Sequence, residues 1–299
     1  MGLLTCIDGG EVLKKGYIYA IISAIFFGTA GIFVKLAYKT GIDSISLLII
    51  QYIIAVFLMF TIAFLKDRKK LYVSKKELFS MAVLGAVGNT LMTVFYYKAF
   101  EHLQVAMVTM LLFTYPIMVF IYSAIFENEK IQFKKMVAIM LAFIGCVFTL
   151  NTFSGEVKYS IRGLVFGILS AVFYAFMNLY TEKKLEKADA LTINAYSTLF
   201  SLITLFFIRS PEFLLGDYIK FESLIYIIIL AVLCEIIPLT LLYTAIQDIG
   251  ALKVSVIGNL EIPTAMIVSF MFLRESISMM QILGAILIVY AVYLIRGQR

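Results

Sequence analysis

Runs of apolar residues, each about one bilayer long, alternate with short polar clusters from one end of the chain to the other. Crossing roughly 30 Å of hydrocarbon takes about 20 residues of helix. Ten stretches reach that length: residues 16–34, 44–65, 78–97, 103–126, 136–155, 163–181, 190–208, 223–247, 254–273 and 276–295. Eight contain no charged residue, and the other two contain one acid each, Glu235 and Glu261. The runs lack the strict alternation of barrel strands, and lipid tolerates only backbones that satisfy themselves, so the pattern predicts ten helices. The first run is a full span, and Val34-Lys35-Leu36-Ala37-Tyr38 beyond it has no small-x-small cleavage pattern, so it is expected to stay as a helix rather than be removed as a signal peptide.

Composition supports this reading. Hydrophobic residues make up 62% of the 299 and charged residues 15%, where soluble proteins carry about 25% charge to hydrate their surfaces. Mean hydropathy is +0.99. A soluble enzyme, a secreted scaffold and a disordered chain are all excluded. The net charge of +6 resides in clusters between the apolar runs, which fits membrane topology and implies no nucleic-acid partner. Of the 25 basic residues, 17 fall at the termini and in the loops following even-numbered helices, so both termini are expected in the cytoplasm of a multi-pass cell-membrane protein. Cys6, Cys146 and Cys234 are odd in number and far apart, and read as unpaired packing residues.

The chain also repeats itself. An offset of 147 lays residues 16–26 over 163–173, with Ser23 over Ser170 and Phe26 over Phe173, and an offset of 146 pairs Tyr97 with Tyr243, Ala99 with Ala245, Glu129 with Glu275 and Gly145 with Ala291. Five crossings per copy force the copies to face opposite ways. The loops agree: six basic residues follow the second helix, and only Arg209 and Lys220 follow the seventh. The expected organisation is a cytoplasmic N-terminal segment over residues 1–15, a first five-helix repeat over 16–155 and a second over 156–299. The fold class is therefore an all-α polytopic membrane protein with ten transmembrane helices in two inverted five-helix repeats.

Ser-Ala-x-x-Phe-Gly in the first helix, Tyr-x-Ala closing the third and eighth, and Pro116 or Glu261 followed at a similar distance by Glu129 or Glu275 resemble the EamA-type transporters of the drug/metabolite transporter superfamily. The likeness spans nearly the whole chain. Two departures stand out: Pro263 sits one position later than the ungapped repeat predicts, and Gln51 stands where an Arg is frequent in the family. The resemblance implies transport of amino acids or similar metabolites, often outward.

Polar side chains inside the bilayer are costly unless they meet a cavity, a partner or a proton, so they are the candidates for chemistry. Glu261 and Glu235 lead. Gly258, Thr264 and Ala265 sit at helical neighbour spacings from Glu261, and Ala231 and Pro238 from Glu235. Asn89, at the repeat position of Glu235, joins Asn178, Asn259, Tyr96, Tyr115 and Tyr174 as candidate substrate-binding residues, with packing hydrogen bonds as their alternative use. Pro116, Pro238 and Pro263 each remove a backbone donor and should disturb the carbonyls of Leu112, Cys234 and Asn259. Gly28, Gly31, Gly85 and Gly88 should permit close helix contacts.

No metal-ligand cluster, phosphate loop or nucleophile elbow is present, so no cofactor, metal or enzymatic activity is expected. The leading expectation is a secondary transporter, monomer or homodimer, that moves a small-molecule substrate across the lipid bilayer by alternating access, with proton coupling through Glu261 or Glu235. A lipid-linked sugar or phospholipid flippase is the alternative within transport. A membrane-embedded enzyme and a non-transporting receptor or partner are the alternatives outside it.

Overall fold

The computed structural model describes residues 2–100, 102–103, 105–126, 132–150, 160–210, 221–274 and 276–296. Among them the chain is entirely helical: α1 (Gly2–Lys39), α2 (Ser44–Asp67), a 3₁₀ turn (Arg68–Leu71), α3 (Lys75–Val83), a first π-segment (Leu84–Asn89), α4 (Thr90–Phe100), α5 (Val105–Leu112), α6 (Tyr115–Phe126), α7 (Phe133–Thr149), α8 (Ile161–Lys184), α9 (Ala190–Ile208), α10 (Phe221–Leu230), a second π-segment (Ala231–Ile236), α11 (Ile237–Ile249), α12 (Ala251–Gly258), α13 (Glu261–Leu273) and α14 (Met279–Arg296). Several pieces run on end to end. Among the described residues, nine resulting stretches are long and apolar enough to cross a membrane. The remaining apolar run of the sequence forms α7, a helix of 17 residues. Glu129 and Glu275, paired by the repeat, lie outside the described residues.

Polar residues at the span ends set where helices begin. Asp43 accepts from the Ile45 and Ser46 amides at 3.2 and 3.1 Å, and Asp189 accepts from the Thr192 amide at 3.3 Å, which satisfies first-turn donors of α2 and α9. Ser74 and Glu77 form a reciprocal capping box at α3. Gly250 joins α11 to α12 with φ of 88°, a left-handed conformation that spares the chain a longer loop.

Packing pairs the two halves of the chain. The contacts run α1 against α11, α4 against α8, α2 against α9 and α7 against α14. Glycines set the closest approach in the last pair: a Cβ on Gly145 would stand 2.7 Å from the Gly284 carbonyl oxygen, and one on Gly284 would stand 2.5 Å from that of Gly145. Gly28 is held equally tightly against Thr264, and Gly85 against the Ser197 carbonyl. Gly31, in contrast, has no neighbour within 4 Å and makes no such contact. Phe57, Leu65, Phe79, Phe126, Phe207 and Phe270 are exposed around the outside, where a bilayer would meet them. The sequence's expectation of free thiols holds for Cys146 and Cys234, both buried.

The α2 and α9 pair is tied at both ends by its own capping acids. The Arg209 guanidinium, at the end of α9, pairs with Asp43 before α2, and the Lys70 ammonium, just past α2, pairs with Asp189 before α9. Tyr196 adds a hydrogen bond to the Leu71 carbonyl at 3.0 Å. Burial raises the Asp43 carboxyl, but hydrogen bonds from Ser46 and the charge of Arg209 outweigh it and leave the group below its ordinary value. Asp189 is lowered likewise, burial being outweighed by Lys70 and Thr192.

Candidate functional site

Two kinds of helix defect gather the polar groups. The first is a break at matching places in each half: α5 gives way to α6 across Phe113–Thr114, and α12 to α13 across Asn259–Leu260, 146 residues further on. Proline explains both. Pro116 and Pro263 lack the amide that would continue the ladder, and the Asn259 carbonyl accepts instead from the Ile262 amide, three residues on, at 3.1 Å. The Asn259 amide is itself drawn to Val256, so the Ser255 carbonyl receives side-chain donors: the Tyr115 hydroxyl at 3.1 Å and Asn259 Nδ2 at 3.0 Å. A Cβ on Gly258 would stand 2.7 Å from the Tyr115 hydroxyl, so glycine there admits the phenol.

Glu261 opens α13 at this break and is partly exposed although it lies deep within the apolar span. Its carboxylate has no hydrogen-bond or ion-pair partner among the described residues. The phenols of Tyr96, Tyr115 and Tyr174 lie near enough to feel its charge. The Tyr115 and Tyr174 rings are in contact at 4.3 Å between centroids. Tyr96 meets Thr109 at 3.4 Å. Because the helix breaks between Gly258 and Glu261, only Thr264 and Ala265 share a helix with Glu261; the spacing argument for Gly258 is corrected, and its close neighbour is Tyr115.

Asn178 and Asn259 complete this group. Each donates through Nδ2 to backbone carbonyls, Asn178 to Tyr174 at 2.8 Å and Asn259 to Ser255 and Val256, which fixes the amide orientation because a carbonyl only accepts. Both Oδ1 atoms are then buried with no hydrogen-bond partner. Buried orphan acceptors are rare, and here two of them stand beside an acid that has no partner among the described residues.

The second defect is the π-segment, and the second of the two carries Glu235. Pro238 withholds an amide just beyond the second π-segment, as the sequence predicts for the Cys234 region, and its own carbonyl accepts from Ser23 of α1 at 2.7 Å. Glu235 is 7% exposed and sits within the π-turn, with Thr198 Oγ1 of α9 at 3.1 Å. The phenols within its electrostatic reach are Tyr52, Tyr97 and Tyr243, a different set. Asn89, in the first π-segment, stands 3.4 Å from the Tyr243 hydroxyl and belongs to this second group. By their ends the π-segments align at an offset of 147, so Asn89 stands opposite Ile236 and Gly88 opposite Glu235, one position from the sequence register.

Sequence reasoning passed over the polar stripe of α9. Asn194, Ser197, Thr198 and Ser201 recur at helical spacing in an otherwise apolar span, and all are buried. That periodicity was the available signal. Asn194 Nδ2 reaches the Glu235 and Ile236 carbonyls at 3.2 and 3.4 Å and Thr240 Oγ1 at 3.1 Å, and Ser201 donates to the Gly85 carbonyl in the first π-segment at 2.8 Å. One helix therefore touches both π-segments. Among the described residues no group of His, Cys, Asp and Glu has the makings of a metal site.

Comparison with known proteins places this arrangement. The profile of the EamA-like transporter family matches twice, over residues 14–151 and 161–297. An uncharacterized transporter of Clostridium kluyveri is 22% identical over 93% of this chain and 91% of its own, and the uncharacterized transporter YcbK of Bacillus subtilis is 22% identical over 90% and 88%. The pseudopaline exporter CntI of Pseudomonas aeruginosa is 26% identical over 165 residues, 55% of this chain and 56% of its own. One solved crystal structure superposes with a TM-score of 0.73 at 14% identity, over 94% of this chain and 96% of that one, which shows a shared fold.

Proposed function

The chain belongs to the EamA-like transporter family, and from that premise we propose that it exports a small metabolite bearing amino groups, an amino acid or a related compound, by alternating access coupled to protons. The observation that carries this is the Glu261 group: an unpartnered acid, two orphan amide oxygens and three phenols at a break in a membrane-spanning helix. A ligand with N–H donors supplies what Glu261, Asn178 and Asn259 lack. The spanning helix is discontinuous at the same place, as in transporters whose broken helices surround their substrates. A neighbour named as an exporter, CntI, supports the outward direction.

The reading includes ten crossings in two inverted repeats, with α7 as the tenth span despite its 17 residues, because a helix of that length is still within the range that crosses a bilayer. The matching breaks and π-segments in the two halves, and their pairwise packing, support the repeat. Both termini and the basic loop after α2 face the cytoplasm of the cell membrane in this reading, by the asymmetry of basic residues. The assembly is a monomer or homodimer.

Purified protein in liposomes under an imposed pH gradient, supplied with a labelled amino-acid mixture, tests the function. Gradient-driven flux should be present for the unaltered chain and fall to background for Glu261→Gln, which keeps shape and hydrogen-bonding capacity but cannot titrate. Undiminished flux in that variant removes Glu261 from the mechanism, and absence of amino-acid flux from the unaltered chain overturns the substrate class.

A further inference from the structure

We propose that Glu235 is a second proton-binding site and that α9 reads its protonation state through Thr198 and Asn194. The row of polar groups has too few hydrogens when Glu235 is ionised. Asn194 Nδ2 faces the Glu235 and Ile236 carbonyls at 3.2 and 3.4 Å, and carbonyls only accept, so the amide is fixed with its nitrogen towards the π-segment and its oxygen towards Thr198. Thr198 Oγ1 then lies 3.1 Å from Asn194 Oδ1 and 3.1 Å from Glu235 Oε1. Both neighbours are acceptors when Glu235 is a carboxylate, and a hydroxyl has one proton.

With Glu235 ionised, Thr198 must choose, and one of two buried oxygens loses its donor. With Glu235 neutral, the carboxyl O–H donates to Thr198 and Thr198 donates to Asn194, and every group in the row is satisfied. The arrangement is complete only with the proton in place. A buried acceptor without a donor carries a substantial penalty, and in a low-dielectric row the bonds reinforce one another, so proton loss at Glu235 disturbs the seat of α9 on the second π-segment. The groups facing Glu235 from the packed elements are Tyr52 of α2, Tyr97 of α4, Cys234 beside it and Tyr243 of α11, phenols and a thiol with no cation among them. Among the described residues named, none replaces the proton with a fixed positive charge.

The consequence reaches the other half of the protein. α9 also holds the first π-segment, where Ser201 donates to the Gly85 carbonyl and the Ser197 carbonyl sits where a Gly85 side chain would be. A proton bound as carboxylate plus H⁺ giving carboxyl at Glu235 is thereby linked to a helix that hydrogen-bonds to both π-segments. Thr198 and Asn194 are positioning residues. This deepens the proton-coupled reading and rests on it for its use in transport, but the titration itself needs no substrate.

Infrared difference spectroscopy of the purified protein in lipid vesicles between neutral and alkaline pH is the test. The expected result is a neutral-carboxyl C=O band at neutral pH that vanishes on alkalinisation, is missing in Glu235→Gln and persists in Glu261→Gln. Thr198→Val should move that band to higher frequency by removing the acceptor of the carboxyl O–H, and Thr198→Ser, which keeps the hydroxyl, should restore it. A spectrum unchanged by Glu235→Gln means that Glu235 is already ionised and overturns the proposal, and a band whose frequency ignores Thr198→Val overturns the relay. If the band behaves as stated while a pH gradient drives no flux, the proton site stands and the coupled transport reading falls.

Discussion

The two π-segments break the helical ladder at matching places in the two halves, yet they are held by opposite means. The first has no proline near it: Gly85 lets the α9 backbone approach, and the Gly85 carbonyl takes hydroxyl donors from Thr90 at 2.9 Å and Ser201 at 2.8 Å. The second follows from Pro238, presents an acid where the first presents Gly88, and is bridged by the Asn194 amide. A π-turn widens a helix and sets one residue out of register, which is why such turns recur at functional sites. Here one copy uses the defect for close packing and the other for placing a titratable group. The same backbone event thus serves close packing in one copy and seats an acid in the other.

The sharpest way to break this contrast is to crowd the first segment. Gly85→Leu should prevent stable assembly or cost about 3 kcal/mol, since even a Cβ there would lie 2.1 Å from the Ser197 carbonyl oxygen, whereas Val232→Leu, the corresponding change in the second segment, should be nearly neutral. Thermal unfolding in detergent reads both. An equal response would mean that α9 gives way as readily at one segment as at the other.

Removing the polar bridges should produce a smaller and unequal pair of effects. Asn194→Ala withdraws the donor shared by two carbonyls and Thr240 and should cost about 1–3 kcal/mol, while Ser201→Ala leaves the Gly85 carbonyl its bond from Thr90 and should cost about 0.5–1 kcal/mol. Denaturation of the two variants side by side decides whether the second segment leans harder on α9.

The ion pairs at the ends of α2 and α9 should matter least, because both are partly exposed. Asp43→Asn and Asp189→Asn should each cost about 0–1 kcal/mol, and salt should shrink the effect. Both acids titrate below their ordinary values when folded, so their contribution is present above the unfolded value and is lost as pH falls through the folded one. Thermal scans from neutral to acidic pH should therefore show the unaltered chain and the Asn variants converging at low pH. Divergence on acidification would contradict the sign.

The sequence by itself determined that the chain is a helical membrane protein and where its long apolar runs lie, nine of which form membrane-length helices among the described residues, because crossing a bilayer demands such runs and places charge outside them. Residues 190–208 match α9 at both ends, and the acids at 235 and 261 stand out for the same reason. The prolines foretold the disturbances at Asn259 and near Cys234. Tertiary structure alone decided which polar residues meet. Glu261 gathers Tyr96, Tyr115 and Tyr174 while Glu235 joins Asn89's partner Tyr243 and the α9 stripe, and residues 146 apart in the chain become neighbours or not according to helix crossings that no local spacing encodes. The first π-segment, with no proline to announce it, was invisible for the same cause: the close seat of Gly85 on another helix's carbonyl, where an added Cβ would stand 2.1 Å from the oxygen, is a property of packing, and hydropathy carries no record of it.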